Sequence, residues 1–459
     1  VDLLAALAEV VGPAHVLADP DLKASYEQDW TKRFSGPCLA AVRPADAAQT
    51  ATVVRLVADA GAVVVPQGGN TGLVGGGVPP PAGVSRRPAV VLSTSRMDRI
   101  EPLDLLSSQV TVGAGVTLGA LQRAAGRAGL AFAVDLAARD SATVGGMVAT
   151  NAGGVHVLRY GSMRQQVLGV EAVTADGGVM SHLGGLLKDN TGYDLAGLLA
   201  GSEGTLAVIT RVRLRLVPAE PEAAVALVGC ETVGQALALT RRALASVEGL
   251  QAAEAFLRSG LELVMAHRRL PEPTGRPRPV YLLLEAAGRR DPASSLAELL
   301  DAEGLAEADS ALGVDEGSAR RLWEYREGLT EAVSSLGVPH KLDVTLPHAS
   351  LEHFIDVVPE CAERAHAGAT TVMFGHIGDG NIHVNVVGPA PEDEEVDQAI
   401  LELVARLGGS ISAEHGIGRA KTRWLGLCRD RIELAAMRAI KDALDPTWVL
   451  NPGVILPEG

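Results

Sequence analysis

Two short stretches concentrate side chains able to do chemistry. In GHIGDGNIHVNV (375–386), His383 and Asn385 stand two apart in a strand-like run and face the same way, while Val384 and Val386 face the other. His376 precedes the turn GDG, which can fold its imidazole back toward His383. Further on, SAEHGIGRAKTRW (412–424) sets Glu414 beside His415 at the expected entry to a helix. Two imidazoles and a carboxylate make a sound divalent-metal set that leaves positions open for substrate and water. On residue type alone, a purely structural role is an equal alternative for His376 and His383. Asp379 reads as turn chemistry through its D-G pair, and His156, His182 and His353 as hydrogen-bonding loop residues.

A second set lies in WEYREGLTEAVSSLGVPHKLDVTLP (323–347). Arg326 and Thr330 are at i, i+4 and share a helix face, and Lys341 begins the following strand. An Arg fork with a Lys charge grips a carboxylate; solvated surface charges are the competing reading.

The elements that must position these groups are punctuated by glycine. VVVPQGGNTGLVGGG (63–77) runs a strand into a loop of uncovered backbone N–H groups, as pyrophosphate sites require, with a simple tight turn as the alternative. No Lys-Ser/Thr follows, so it is not a P-loop, and no G-x-G-x-x-G exists to suggest a nicotinamide fold. SATVGGMVATNAGG (141–154) and GSEGTLAVIT (201–210) repeat the chemistry, and three such loops suit one extended, phosphate-bearing, planar ligand. Between them the chain predicts strands at 62–65, 89–92, 108–116, 169–177 and 204–217, and a helix over 47–61 stopping at Gly61. Past Pro218–Pro221 the texture changes to alternating strand and helix, including a strand at 280–288 and an amphipathic helix at 431–444.

The 459 residues suggest two or three domains. A net charge of −15 disfavours nucleic acid as a partner. Four scattered cysteines without C-x-x-C argue against a disulfide framework and fit a reducing, cytoplasmic setting. The first twenty residues lack a basic leader region and read as an amphipathic helix, and no apolar run reaches membrane-span length.

Taken in order, PQGGNTGLVGG, ATVGGMVATNAGG, LRYGSM (158–163), LLKDNTGYDLAGLLAGSEGTLAVIT (186–210) and the two histidine motifs resemble the FAD-linked D-2-hydroxy acid dehydrogenases. This group of vanillyl-alcohol oxidase-type flavoproteins includes the D-2-hydroxyglutarate and D-lactate dehydrogenases and the glycolate oxidase FAD subunit. The resemblance runs from about Asp29 onward and is weakest over 219–320. It implies an α+β protein: a two-subdomain FAD domain (1–217), a cap domain of antiparallel sheet and helices covering the flavin (218–425), and a helical segment returning to the FAD side (426–459).

The resemblance also implies a site. Pro66, Gly68, Gly69, Asn70, Thr71 and Gly72 would hold the pyrophosphate. Ser141, Thr143, Gly145, Gly146, Thr150, Asn151 and Gly153 would face the flavin, with Gly204 and Ile209 beside the ring and Asn451 at the cofactor. Gly68 and Gly69 stand where covalently flavinylated relatives often carry a His, so the FAD is expected to be non-covalent. His376, His383 and Glu414 would hold a divalent metal, usually zinc, and His415 would serve as base. The cation would lower the hydroxyl pKa, as zinc lowers that of water from about 15.7 to about 7, and the α-hydrogen would pass to flavin N5. Arg326, Thr330, Lys341 and Asn385 would hold the substrate, D-2-hydroxyglutarate before D-lactate or glycolate, with a peroxide-forming oxidase as a further alternative. The implied partners are a 2-hydroxy acid and an electron acceptor such as an electron-transfer flavoprotein, quinone or cytochrome; a homodimer is a family-level expectation.

Overall fold

The computed structural model describes residues 2–83, 85, 87–305 and 308–458, and the chain divides into two compact units. The first comprises residues 1–153, 162–219 and 414–459; the second comprises 154–161 and 220–413. The sequence is therefore interleaved, and residues 414–425, expected in the cap domain, group with the first unit.

Two four-stranded sheets organise the first unit. In one, Val63–Gln67, Ala89–Ser93 and Ala41–Val42 run parallel, with Val16–Leu17 added antiparallel at the edge. Val63, Val64 and Val65 are all buried, the near-continuous apolar run expected of a sheet covered on both faces. One cover is the helix Ala47–Asp59, capped by Asp46, whose carboxylate accepts from Gln49 N (2.8 Å), and ended at Gly61 with φ +68°. The other sheet is antiparallel, in the order Gln109–Gly113, Val208–Arg215, Val167–Val173, Val179–His182. Its alternation is clear where Val212 and Leu214 are buried and Arg215 is exposed.

A seven-stranded antiparallel sheet organises the second unit, in the order Ser310–Gly313, Glu222–Cys230, Val280–Gly288, Leu250–Leu257, Thr370–His376, Asn381–Val387, His340–Thr345. On one face, the helices Arg258–Arg268 and Glu316–Ser334 bury Phe256, Tyr281, Leu283 and Phe374 against Leu261, Val264, Tyr325 and Leu329. Ladder partners share a face of a pleated sheet. The pairs Lys341–Asn385, Asp343–His383, Phe374–His383 and Glu254–His376 therefore set six polar side chains on the face that carries these helices.

Among the described residues, no helix is long and apolar enough to cross a membrane.

Candidate active site

In the first unit the three glycine loops meet. A Cβ on Gly69 would lie 1.8 Å from the Ser141 carbonyl oxygen, and one on Gly68 would lie 2.2 Å from Thr143 Oγ1. One on Gly145 would lie 2.6 Å from the Ala114 Cβ, and Gly204, at φ +69°, comes within 3.0 Å of the Pro66 ring by the same measure. These approaches are open only to residues without a side chain. Among the described residues the backbone N–H groups from Gly68 to Gly72 have no protein acceptor. A row of donors in a small-residue cradle, half-buried from Gly68 to Thr71, fits a pyrophosphate.

Polar side chains fasten the loops. Thr143 caps the helix Val144–Thr150, and Thr150 Oγ1 returns a bond to Gly146 O (3.1 Å). Asn70, Asn151 and Asn451 all adopt positive φ, as suits Asn. Asn70 Nδ2 donates to Gln28 O (2.8 Å), Asn151 Oδ1 accepts from Arg164 N (2.9 Å), and Asn451 Nδ2 donates to Gly76 O and Glu203 O (2.8 Å each). Thr71, Gly72 and Gly153 lie on the same loops, and Ile209 is buried in the strand Val208–Arg215.

Glu414 and His415 lie where the chain passes from the second unit into the first. No helix begins there: the stretch bends through Gly416 (φ +86°) and Gly418 (φ +55°), backbone states a right-handed helix excludes, and a 3-10 helix forms only at Thr422–Leu427. The bend is held by Glu203, whose carboxylate accepts from Ile417 N and Gly418 N, both at 2.8 Å. Burial raises the Glu203 carboxyl to about 7, against the two N–H donors and the Lys421 charge.

In the second unit, His376 ends one strand and His383 sits inside the next, with ring centroids 5.3 Å apart and the rings edge to face. A buried carboxylate backs each imidazole: Glu254 bonds His376 Nδ1, and Asp343 Oδ1 lies 3.4 Å from His383 Nδ1. Burial would raise the Glu254 carboxyl, but the His376 and Arg326 charges and hydrogen bonds hold it at about 2. It is thus an acceptor, so His376 Nδ1 donates to it. In the turn, Asp379 Oδ1 accepts from Asn381 N (3.1 Å), as D-G chemistry predicts.

Arg326 is no solvated charge. It is buried, its Nε donates to Glu254 Oε2 (2.6 Å), and its guanidinium carbon lies 4.6 Å from the centre of the Phe374 ring. Its two terminal nitrogens have no acceptor among the described residues, so the fork remains available for a carboxylate. Thr330, one turn on, is exposed. Lys341 is directly opposite Asn385, which is buried and donates to Val372 O (3.2 Å), and burial lowers the Lys341 pKa. Of the remaining histidines, His156 meets Glu285 (3.1 Å) and His182 meets Asp189 (3.1 Å), but His182 ends the strand Val179–His182 and His353 lies on the helix His348–Ala365, so neither is in a loop. Reasoning from sequence missed Glu254, Asp343 and Glu203. The available signal for Glu254 was a lone acid within a mostly apolar strand; Asp343, in a strand that also carries His340, Lys341 and Thr345, had no such mark.

Residues 219–455 match the family model for the FAD linked oxidases, C-terminal domain, and residues 38–182 match that for the FAD binding domain. The chain is 38% identical to a mitochondrial D-2-hydroxyglutarate dehydrogenase from Bos taurus, over 99% of this chain and 84% of the relative. It is 35% identical to the D-2-hydroxyglutarate dehydrogenase of Xanthomonas citri pv. viticola (97% and 95%), and 34% identical to a putative mitochondrial D-lactate dehydrogenase of Schizosaccharomyces pombe (95% and 85%). A p-cresol methylhydroxylase structure shares the fold, with a TM-score of 0.77 at 17% identity over 99% of this chain and 96% of that one. With glycine loops that fit FAD and full-length likeness to these enzymes, the chain belongs to the FAD-linked oxidase family, in its branch of 2-hydroxy acid dehydrogenases.

Proposed function

We propose that the protein oxidises D-2-hydroxyglutarate to its 2-oxo acid with non-covalent FAD and a divalent metal. The observation that carries this reading is the polar face of the second unit. There a buried Arg326 with an open fork shares one sheet face with Lys341, Asn385, His376 and His383. Two cationic side chains suit a dicarboxylate, and the relatives named for this substrate match nearly the whole chain. Bound FAD would supply the hydride acceptor for the α-hydrogen, and a divalent cation such as zinc would supply the Lewis acid that lowers the pKa of the substrate hydroxyl.

The protein's own residues do the rest. His376, His383 and Glu414 are the proposed metal ligands, and His415 accepts the hydroxyl proton as a neutral imidazole at working pH. Arg326, Thr330, Lys341 and Asn385 hold the acid so that its α-carbon has one orientation. Electrons leave to an acceptor of the flavoprotein, quinone or cytochrome class.

The test is anaerobic mixing of flavin-loaded protein with D-2-hydroxyglutarate and, separately, D-lactate, following loss of visible flavin absorption. Faster bleaching by the dicarboxylate is expected; faster bleaching by lactate would move the enzyme to the monocarboxylate branch. Prior removal of metal with a strong chelator is expected to abolish bleaching, and added zinc to restore it. Bleaching that survives chelation would remove the metal from the mechanism.

A further inference from the structure

Glu254 has a place that neither the family resemblance nor the motifs assign. It is a fully buried acid in the strand Leu250–Leu257, whose other positions are mostly apolar and buried. Its ladder partner is His376 itself, so the two side chains rise from one face of the sheet side by side. One carboxylate oxygen bonds His376 Nδ1; the other accepts from Arg326 Nε at 2.6 Å. Phe374, two residues before His376, lies under the Arg326 guanidinium at 4.6 Å and directly opposite Phe256. An ion pair this deep carries a large desolvation cost, and a hydrophobic replacement would often be no less stable. Stability therefore does not explain the group, whereas geometry does.

We propose that Glu254 is a shared positioning residue: one oxygen fixes His376 as the Nδ1–H tautomer for metal binding, and the other aims the Arg326 fork at the substrate carboxylate. This inference rests on the metal-and-clamp reading above. A carboxylate behind a ligand imidazole commonly changes metal affinity ten- to a hundredfold. Here the same group also holds the substrate clamp, so one substitution should disturb two properties with different readouts.

The variant Glu254→Gln offers a single acceptor oxygen and an NH2 that opposes an N–H, so it can satisfy Arg326 or the Nδ1–H tautomer of His376 but not both. In flavin-loaded protein, zinc affinity is measured without substrate by competition with a chromogenic chelator, and KM and kcat are measured with D-2-hydroxyglutarate. Glu254→Gln is expected to keep its flavin absorption, bind zinc roughly ten- to a hundredfold more weakly, and raise KM at least tenfold; Glu254→Asp should recover part of both. Zinc affinity and KM that both stay at wild-type values would overturn the proposal, and so would a change confined to one of them. Should the glutamine variant not fold, imidazole 15N shifts of His376 in zinc-free wild-type protein decide the matter. An Nδ1-bound proton is expected, and a neutral Nε2–H form would overturn the assignment. Wild-type protein that binds no zinc at all would instead sink the metal reading itself, a separate failure seen before any variant is made.

Discussion

Glu203 sits where burial and hydrogen bonding oppose each other. In the unfolded chain its carboxyl has the ordinary value of 4.5; in the fold, burial lifts it to about 7. Between those values the folded protein keeps a proton that the unfolded chain has lost. The stability this supplies is complete below about 4.5 and is lost as pH rises through about 7. Glu203→Gln mimics the protonated form. Its stability relative to wild type should therefore rise from pH 5 to pH 8 in urea titrations; a difference that does not change with pH would show the carboxyl titrating normally. On the substrate side, Lys341→Met should raise KM for D-2-hydroxyglutarate roughly ten- to a hundredfold, on the basis of about 1.5–3 kcal/mol for a charged hydrogen bond. D-lactate should suffer less, because it carries one carboxylate; equal losses would place Lys341 outside the clamp. Residue types and spacing pointed to the two histidines, and the resemblance added the roles proposed for them. The acids behind them stayed hidden: Glu254 and Asp343 matter through partners on other strands, and sequence spacing does not encode those partners.

Among the elements, the glycine loops make the sharpest prediction. Gly69→Ala would drive a methyl into the Ser141 carbonyl, backbone that cannot swing aside. Loss of bound flavin is expected, read from the ratio of visible to ultraviolet absorption, with a lowered melting temperature. Gly126→Ala, near the end of the helix Leu118–Gly126 with nothing within 4 Å, should leave flavin content unchanged and raise stability by up to about 1 kcal/mol. Retained flavin in Gly69→Ala would mean that the loop can relax. At this scale much was legible. The strand at Val280–Gly288 and the helix at Arg431–Leu444 fall where apolar periodicity put them. The helix expected after His415 failed because two glycines at positive φ, pinned by a residue more than two hundred positions away, decide that stretch. Local pattern carries no trace of that partner.

Across the whole molecule, the interleaving of the two units matters most. The eight residues 154–161 belong with the second unit. His156 bonds Glu285 (3.1 Å), and Arg159 donates to Ala287 O (2.9 Å) and Glu220 (2.7 Å). Residues 220–413 expressed alone would leave the half-buried Glu285 with only Gln251 and Trp323 as partners. Linking 154–161 ahead of residue 220 by a flexible spacer should raise the urea midpoint of that fragment, and equal midpoints would show the segment to be a passenger. The change of texture at Pro218 made the boundary near 219 readable, but an excursion of eight residues has no compositional mark.

The order in which the chain is synthesised adds a consequence. The Asn451 bonds to Gly76 and Glu203, the bridge between Leu450 and Val64, and Lys441 Nζ on Thr205 O all tie late residues to early ones. While the ribosome is still making residues 220–413, the glycine loops are present but lack the Asn451 bonds, and the segment 154–161 awaits a sheet that does not yet exist. The dinucleotide can therefore be gripped in full only after translation has passed residue 451, so a nascent chain stalled earlier exposes an open loop cluster and an unfinished sheet to chaperones and proteases.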